Sequence, residues 1–187
     1  MFEEENKAND TITTAGFTLQ DPLHGREILS TLALDKGKVI LTGSEDTTFK
    51  VLAVDASSCD VKVISTFSQH EASVRSFAKC KMPPTSDGAS SHVIVSAGST
   101  MQAHVFLWHS SQGQRILNHV CNYSQQLFKQ PKRTGKEFGA QVNTQDFRIM
   151  SAAVTRLNNC ILVLFGTSSG QIVMNRLSNT ATEKRLH

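Results

Sequence analysis

Residues 39–54 read VILTGSEDTTFKVLAV. Two apolar, β-branched runs flank an acidic, threonine-bearing centre, the pattern of two short strands joined by a tight turn. Asp46 stands at the turn itself, where its carboxylate serves either chemistry or the architecture of the turn. Neither run carries the 3.6-residue apolar spacing of an amphipathic helix.

The same grammar recurs along the chain. His24 precedes Ile28, which opens ILSTLAL, by four residues, and His70 precedes Val74, which opens VRSFA, by the same interval. The two histidines stand 46 positions apart, near the ~40–45-residue period of a four-stranded propeller blade. KVILTGS, DTTFKVLAV and VKVISTF follow His24; HVIVSAGS, AHVFLWH and a weaker RILNHVC follow His70; FRIMSAAV, CILVLFGTSSG and QIVMNRL form a third set. These runs predict an all-β protein, a partial β-propeller of about three four-stranded antiparallel blades at residues 24–67, 70–121 and 145–177. The third set stops before a clear outer strand, and TITTAGFTL (11–19) reads as an outer strand without inner strands before it. Closed rings usually take about 4–8 blades, so the propeller region, 12–178, reads as part of a larger propeller protein. An acidic polar tail is expected at 1–11 and a second tail at 179–187. Two insertions break the rhythm: a loop at 81–91, KMPPTSDGASS, and a longer polar, basic stretch at 123–146.

With 187 residues, 39% apolar and 19% charged, the chain is long enough to bury a core. A net charge of +3 is too small by itself to signal a nucleic-acid partner. No apolar run approaches the length of a membrane span, and the acidic opening MFEEENKANDTITT is the opposite of a targeting segment. A cytoplasmic protein with no membrane partner is expected. Cys59, Cys80, Cys121 and Cys160 lie far apart, which argues for small apolar groups and against a disulfide or zinc framework.

The residues give little support to catalysis. There is no Walker loop, no G-x-G-x-x-G and no clustered carboxylate pair, so no catalytic residue, metal, cofactor or small-molecule substrate is expected. GTSSG at 166–170 fits G-x-S-x-G in form, with Ser168 as nucleophile. That motif needs a helix after its turn, and the QIVMNRL that follows is strand-like, so the stretch reads as a β-turn. His92, His104 and His109 lie in or beside strands and read as exposed or locally bonded side chains.

The histidine, Ser/Thr and aspartate spacing resembles that of WD-repeat propellers. In that family a histidine before the first strand, a Ser or Thr on the second, an aspartate in the next turn and a tryptophan ending the third form a buried hydrogen-bonded set. The resemblance places His24, Thr42 or Ser44, and Asp46 in the first unit, with Leu52 in the tryptophan slot. Thr42 and Ser44 share a strand face, so both stay open. In the second unit His70 and Trp108 hold their slots, and Gln102 stands where the aspartate would. The third unit has Gln145, Ser169 and Asn175 in the His, Asp and Trp slots. Asp46 is therefore read as architectural, since a carboxylate withdrawn from water needs paired donors.

In order, LHGREI, VILTGSEDTTFKVLAV, HEASVRSFA, HVIVSAGSTMQAHVFLW, DFRIMSAAV and LVLFGTSSGQIVMNRL resemble successive segments of one WD-repeat family. That family partners a tRNA 2′-O-methyltransferase acting on the anticodon wobble nucleotide, and the similarity spans residues 23–177. It implies a non-catalytic scaffold that binds the methyltransferase subunit, with tRNA as a second candidate partner. The alternative is a generic WD-repeat protein-interaction adaptor unrelated to tRNA. The segment KQPKRTGK (129–136) carries Lys129, Lys132, Arg133 and Lys136 and no acid. It is the candidate RNA-contact loop, because each phosphate neutralised releases counterions. Tyr123, Phe128 and Phe138 flank it and are able to stack on bases. A solvated surface loop is the competing reading.

Overall fold

The computed structural model describes residues 20–83, 90–111, 114–123, 148–158 and 160–178. The expected outer strand at 11–19, most of the insertion with its four cations, and both expected tails lie outside the described residues.

Eleven strands form three antiparallel sheets among the described residues. The first holds β1 (Ile28–Leu34), β2 (Val39–Ser44), β3 (Phe49–Asp55) and β4 (Asp60–Phe67) in that order. The second holds β5 (Val74–Lys81), β6 (Ser90–Gly98), β7 (Ala103–Ser111) and β8 (Gln114–Tyr123). The third holds β9 (Ile149–Leu157), β10 (Cys160–Thr167) and β11 (Ile172–Ser178). The chain is all-β and builds part of a propeller, with three sheets of the meander type expected from the repeats. β8 is a full ten-residue strand where the sequence signal was weak. The ends of the expected 81–91 loop belong to β5 and β6.

The first strands of the three sheets pack in a row, with β5 between β1 and β9. Ser30 Oγ donates to the carbonyl of Val74, and the Ala152 amide donates to Ser76 Oγ at 2.9 Å, tying these strands together. Gly43 on β2 makes the close approach sterically feasible. A Cβ there would stand 2.7 Å from Ser30 Oγ and from Val74 Cγ1.

Stacking sets the burial pattern. β10 alternates, with Ile161, Val163 and Phe165 inward. The second sheet is covered on both faces, so β6 and β7 lose alternation and read as continuous apolar runs. One face sends Ile94, Phe106 and Trp108 against Leu34, Leu41, Phe49 and Val51 of the first sheet. The other sends Val93, Val95, Val105 and Leu107 against Ile149, Ile161, Val163 and Phe165 of the third. Phe49 stacks on Phe67 with ring centres 4.6 Å apart and meets Phe106 edge-on at 5.2 Å, the offset and perpendicular arrangements that aromatic quadrupoles favour.

Candidate functional site

In the first sheet the residues before β1 fold back over the β2–β3 turn. His24 Nδ1 donates to Asp46 Oδ2 at 3.0 Å, which fixes the tautomer and leaves Nε2 to accept from the Thr42 hydroxyl at 2.8 Å. Asp46 Oδ2 also accepts from the Gly25 amide, and Oδ1 accepts from the amide and hydroxyl of Thr48. Burial would raise the Asp46 carboxyl, but the Thr48 hydroxyl and amide, the Gly25 amide and His24 together hold it far below the usual carboxylate range. Thr42 and Ser44 have separate tasks. Thr42 meets His24, while Ser44 Oγ donates to the Arg26 carbonyl and accepts from the Asp46 amide. Thr48, which the sequence reading did not single out, is a further member of the network.

The second sheet departs from this plan. His70 Nε2 meets Ser96 Oγ at 2.8 Å, as His24 meets Thr42. Gln102 takes over one task of the aspartate, since its Oε1 accepts from the Glu71 amide at 2.9 Å. Without a carboxylate in that slot, His70 Nδ1 is buried with no hydrogen-bond partner. Gly98 lies beside it, and a Cβ on that residue would stand 3.0 Å from Nδ1. His104, two positions beyond Gln102, fills the remaining space with its ring centre 4.6 Å from that of His70. Its Nδ1 lies 3.1 Å from His119 Nε2. His104 is buried, so of its two expected states, exposed or locally bonded, it takes the locally bonded one. Burial, then the neighbouring imidazole, pushes His70 down to about 3 and His104 to about 4.

Trp108 does not join His70 and Ser96, and here the expected set is corrected. Its indole N–H donates across the sheet boundary to Asp35 Oδ1 at 3.2 Å. The reason is register: Trp108 pairs with His92, whereas Ser96 pairs with His104 four residues away. The buried tryptophan therefore ties the second sheet to the β1–β2 turn of the first.

In the third sheet Gln145 lies outside the described residues. Ser169 Oγ bonds Thr167 Oγ1 at 2.8 Å within the β10–β11 turn. Ser168 is exposed in the same turn and accepts from the Arg148 amide, with a strand, not a helix, following it. This turn lacks the geometry of a nucleophile elbow.

The end of the sheets that holds His24 also carries an open cleft of about 450 Å³ lined by His24, Gly25, Arg26, Glu27 and Glu45. Arg26 and Glu45 face each other at 3.5 Å. Cys59, Cys80, Cys121 and Cys160 are free thiols. Among the described residues no group of histidines, cysteines and carboxylates is arranged to hold a metal, and no helix is long and apolar enough to cross a membrane. Lys129, Lys132, Arg133 and Lys136 lie outside the described residues.

No protein-family model matches the chain, and no curated protein matches it either. Among solved structures it is similar to the crystal structure of the WD40 domain of SCAP from fission yeast. The two share 11% identity with a TM-score of 0.50, and the match covers 81% of this chain and 31% of that one. The chain thus spans under a third of that structure's length, and at this identity the likeness is one of fold. The fold is WD40-like.

Proposed function

We propose that this chain is a non-catalytic, cytoplasmic WD-repeat scaffold that binds a tRNA 2′-O-methyltransferase and supports methylation of the tRNA wobble nucleotide. The observation that carries the reading is the ordered run of family-like segments from LHGREI to LVLFGTSSGQIVMNRL. A scaffold also suits the use made of the polar interior. His24, Thr42, Asp46 and Thr48 bond one another and the adjoining backbone, and the cleft beside them is open.

The test is co-expression of the tagged chain with a wobble 2′-O-methyltransferase from the same source. Co-purification in a fixed ratio, with wobble methylation that rises when the chain is supplied, supports the reading. Failure of the methyltransferase to co-purify, with capture of an unrelated protein instead, favours the generic adaptor and removes tRNA from the picture.

A further inference from the structure

Five cations lie on the β1–β2 turn, the end of β5 and the start of β8, at the seam between the first and second sheets and at the end away from His24. The Asp35–Gly37 turn places Lys36 and Lys38 there, both exposed. β5 ends in Lys79 and Lys81, which share a strand face about 6.6–6.8 Å apart and are both exposed. Lys79 Nζ donates to the Ala33 carbonyl at 2.6 Å, across the seam. Lys81 pairs in register with His92, and His92 with Trp108. Arg115, near the start of β8, lies 3.6 Å from Asp35.

Asp35 is already engaged by Trp108 and Arg115, and its side chain is only 12% exposed. Burial lowers the basicity of His92, Lys79 and Lys81 lower it further, and Asp35 opposes them, so Lys79, Lys81 and Asp35 act on a common point. Asp55 and Asp60 lie at the β3–β4 turn of the same end, Asp55 following Val54, whose amide donates to the Lys38 carbonyl at 2.9 Å. At this end of the two sheets the five cations outnumber Asp35, Asp55 and Asp60. Clustered like charges of this kind repel one another and raise the local concentration of anions.

We propose that this seam, through Lys36, Lys38, Lys79, Lys81 and Arg115, is a contact surface for the phosphate backbone of RNA. The inference rests on the tRNA reading of the complex, but it uses residues distinct from the 129–136 segment. A folded protein partner would want a desolvated aromatic or aliphatic anchor at the centre of its footprint. The seam holds the Asp35–Arg115 ion pair with exposed lysines on the adjoining turn and strand, which suits flexible point-charge contacts along a polyanion.

The experiment measures binding of an unmodified tRNA transcript to the 187-residue chain across a salt series. Wild type is compared with Lys36→Gln/Lys38→Gln/Lys79→Gln/Lys81→Gln and with Lys129→Gln/Lys132→Gln/Arg133→Gln/Lys136→Gln. The seam variant is expected to flatten the logarithmic salt slope by about 2–3, with an unchanged melting temperature. Should that variant melt early, the turn pair Lys36→Gln/Lys38→Gln is measured instead, with a flattening of about 1–2 expected. Wild-type curves from the folded seam variant, no RNA binding by the wild type, or binding of poly-glutamate as tight as that of tRNA would each overturn the inference. Methyltransferase co-purification is scored separately on the same proteins. A seam variant that keeps the enzyme and loses tRNA supports the seam, while loss of the enzyme from wild type counts against the scaffold reading alone.

Discussion

The indole N–H of Trp108 reaches across a sheet boundary to the carboxylate of Asp35, 73 residues earlier, at 3.2 Å. Asp35, Lys36 and Gly37 take consecutive positive φ angles of 47°, 56° and 87°, a run that L side chains adopt reluctantly. The bond from Trp108, with Arg115 behind it, holds the first of these residues in place.

Trp108→Phe removes the donor and leaves an aspartate largely withdrawn from water. We expect a loss of about 2–4 kcal/mol in urea unfolding, from the unpaired acceptor and the smaller ring together. Asp35→Asn should cost less in the Trp108→Phe background than in wild type. Additive losses would show that the two residues do not act as a pair.

Asp46→Ala is expected to destabilise by about 1–3 kcal/mol, because His24 and the Gly25 and Thr48 amides lose their acceptor. Gln102→Ala should cost less, about 0.5–1.5 kcal/mol, since Gln102 satisfies the single exposed amide of Glu71. An Asp46→Ala protein with wild-type melting and no partner binding would make Asp46 a contact residue instead of a structural one.

Acid should weaken the fold well before carboxylates titrate. His70 and His104 are held neutral in the fold, at about 3 and about 4, against an ordinary value of 6.5. Between those values the unfolded chain binds protons that the folded chain refuses. Stability is therefore full above pH 6.5 and falls as pH drops toward 4, by up to about 1.4 kcal/mol per pH unit for each proton. Asp46 adds loss in the same direction below its ordinary 3.8. Urea unfolding at pH 7.5, 6.5, 5.5 and 4.5 checks this, and a flat profile would contradict the burial of the pair.

Gly43→Ala forces a Cβ to within 2.7 Å of Ser30 Oγ and Val74 Cγ1. We expect a cost of about 1–3 kcal/mol from overpacking, partly recovered by Val74→Ala in the same chain. A neutral Gly43→Ala would mean that β1, β2 and β5 separate more readily than their packing suggests.

Much of the fold was legible because the strands are short, β-branched and punctuated by Gly and polar turns, and because His24 and His70 mark the period. Thr42 and Ser44 resisted separation from sequence, since both point the same way from β2 and only the reach of His24 distinguishes them. The placement of Trp108 with His70 failed for a different reason. A spacing rule within one blade carries no information about Asp35 on the neighbouring blade. Whether His104 is exposed or locally bonded stayed open in the sequence, because a sheet covered on both faces erases the alternation from which exposure is read. The functional reading comes from segment similarity and not from any reactive constellation, because His24, Thr42, Asp46 and Thr48 are bonded to one another.

The second sheet gives up its backbone protons under conditions set by its neighbours. Since the centres of β6 and β7 are sealed by the first sheet on one side and the third on the other, they do not meet water unless a flanking sheet departs. In a stacked array of this kind each layer's stability is an intrinsic part plus its nearest-neighbour interfaces. Amide exchange should therefore be slowest at Val93–Val95 and Val105–Leu107, and faster in β11, where Ile172 and Met174 are 75% and 63% exposed. A substitution that loosens the third sheet, such as Phe165→Ala, should speed exchange in β6 and β7 while leaving β3 nearly unchanged.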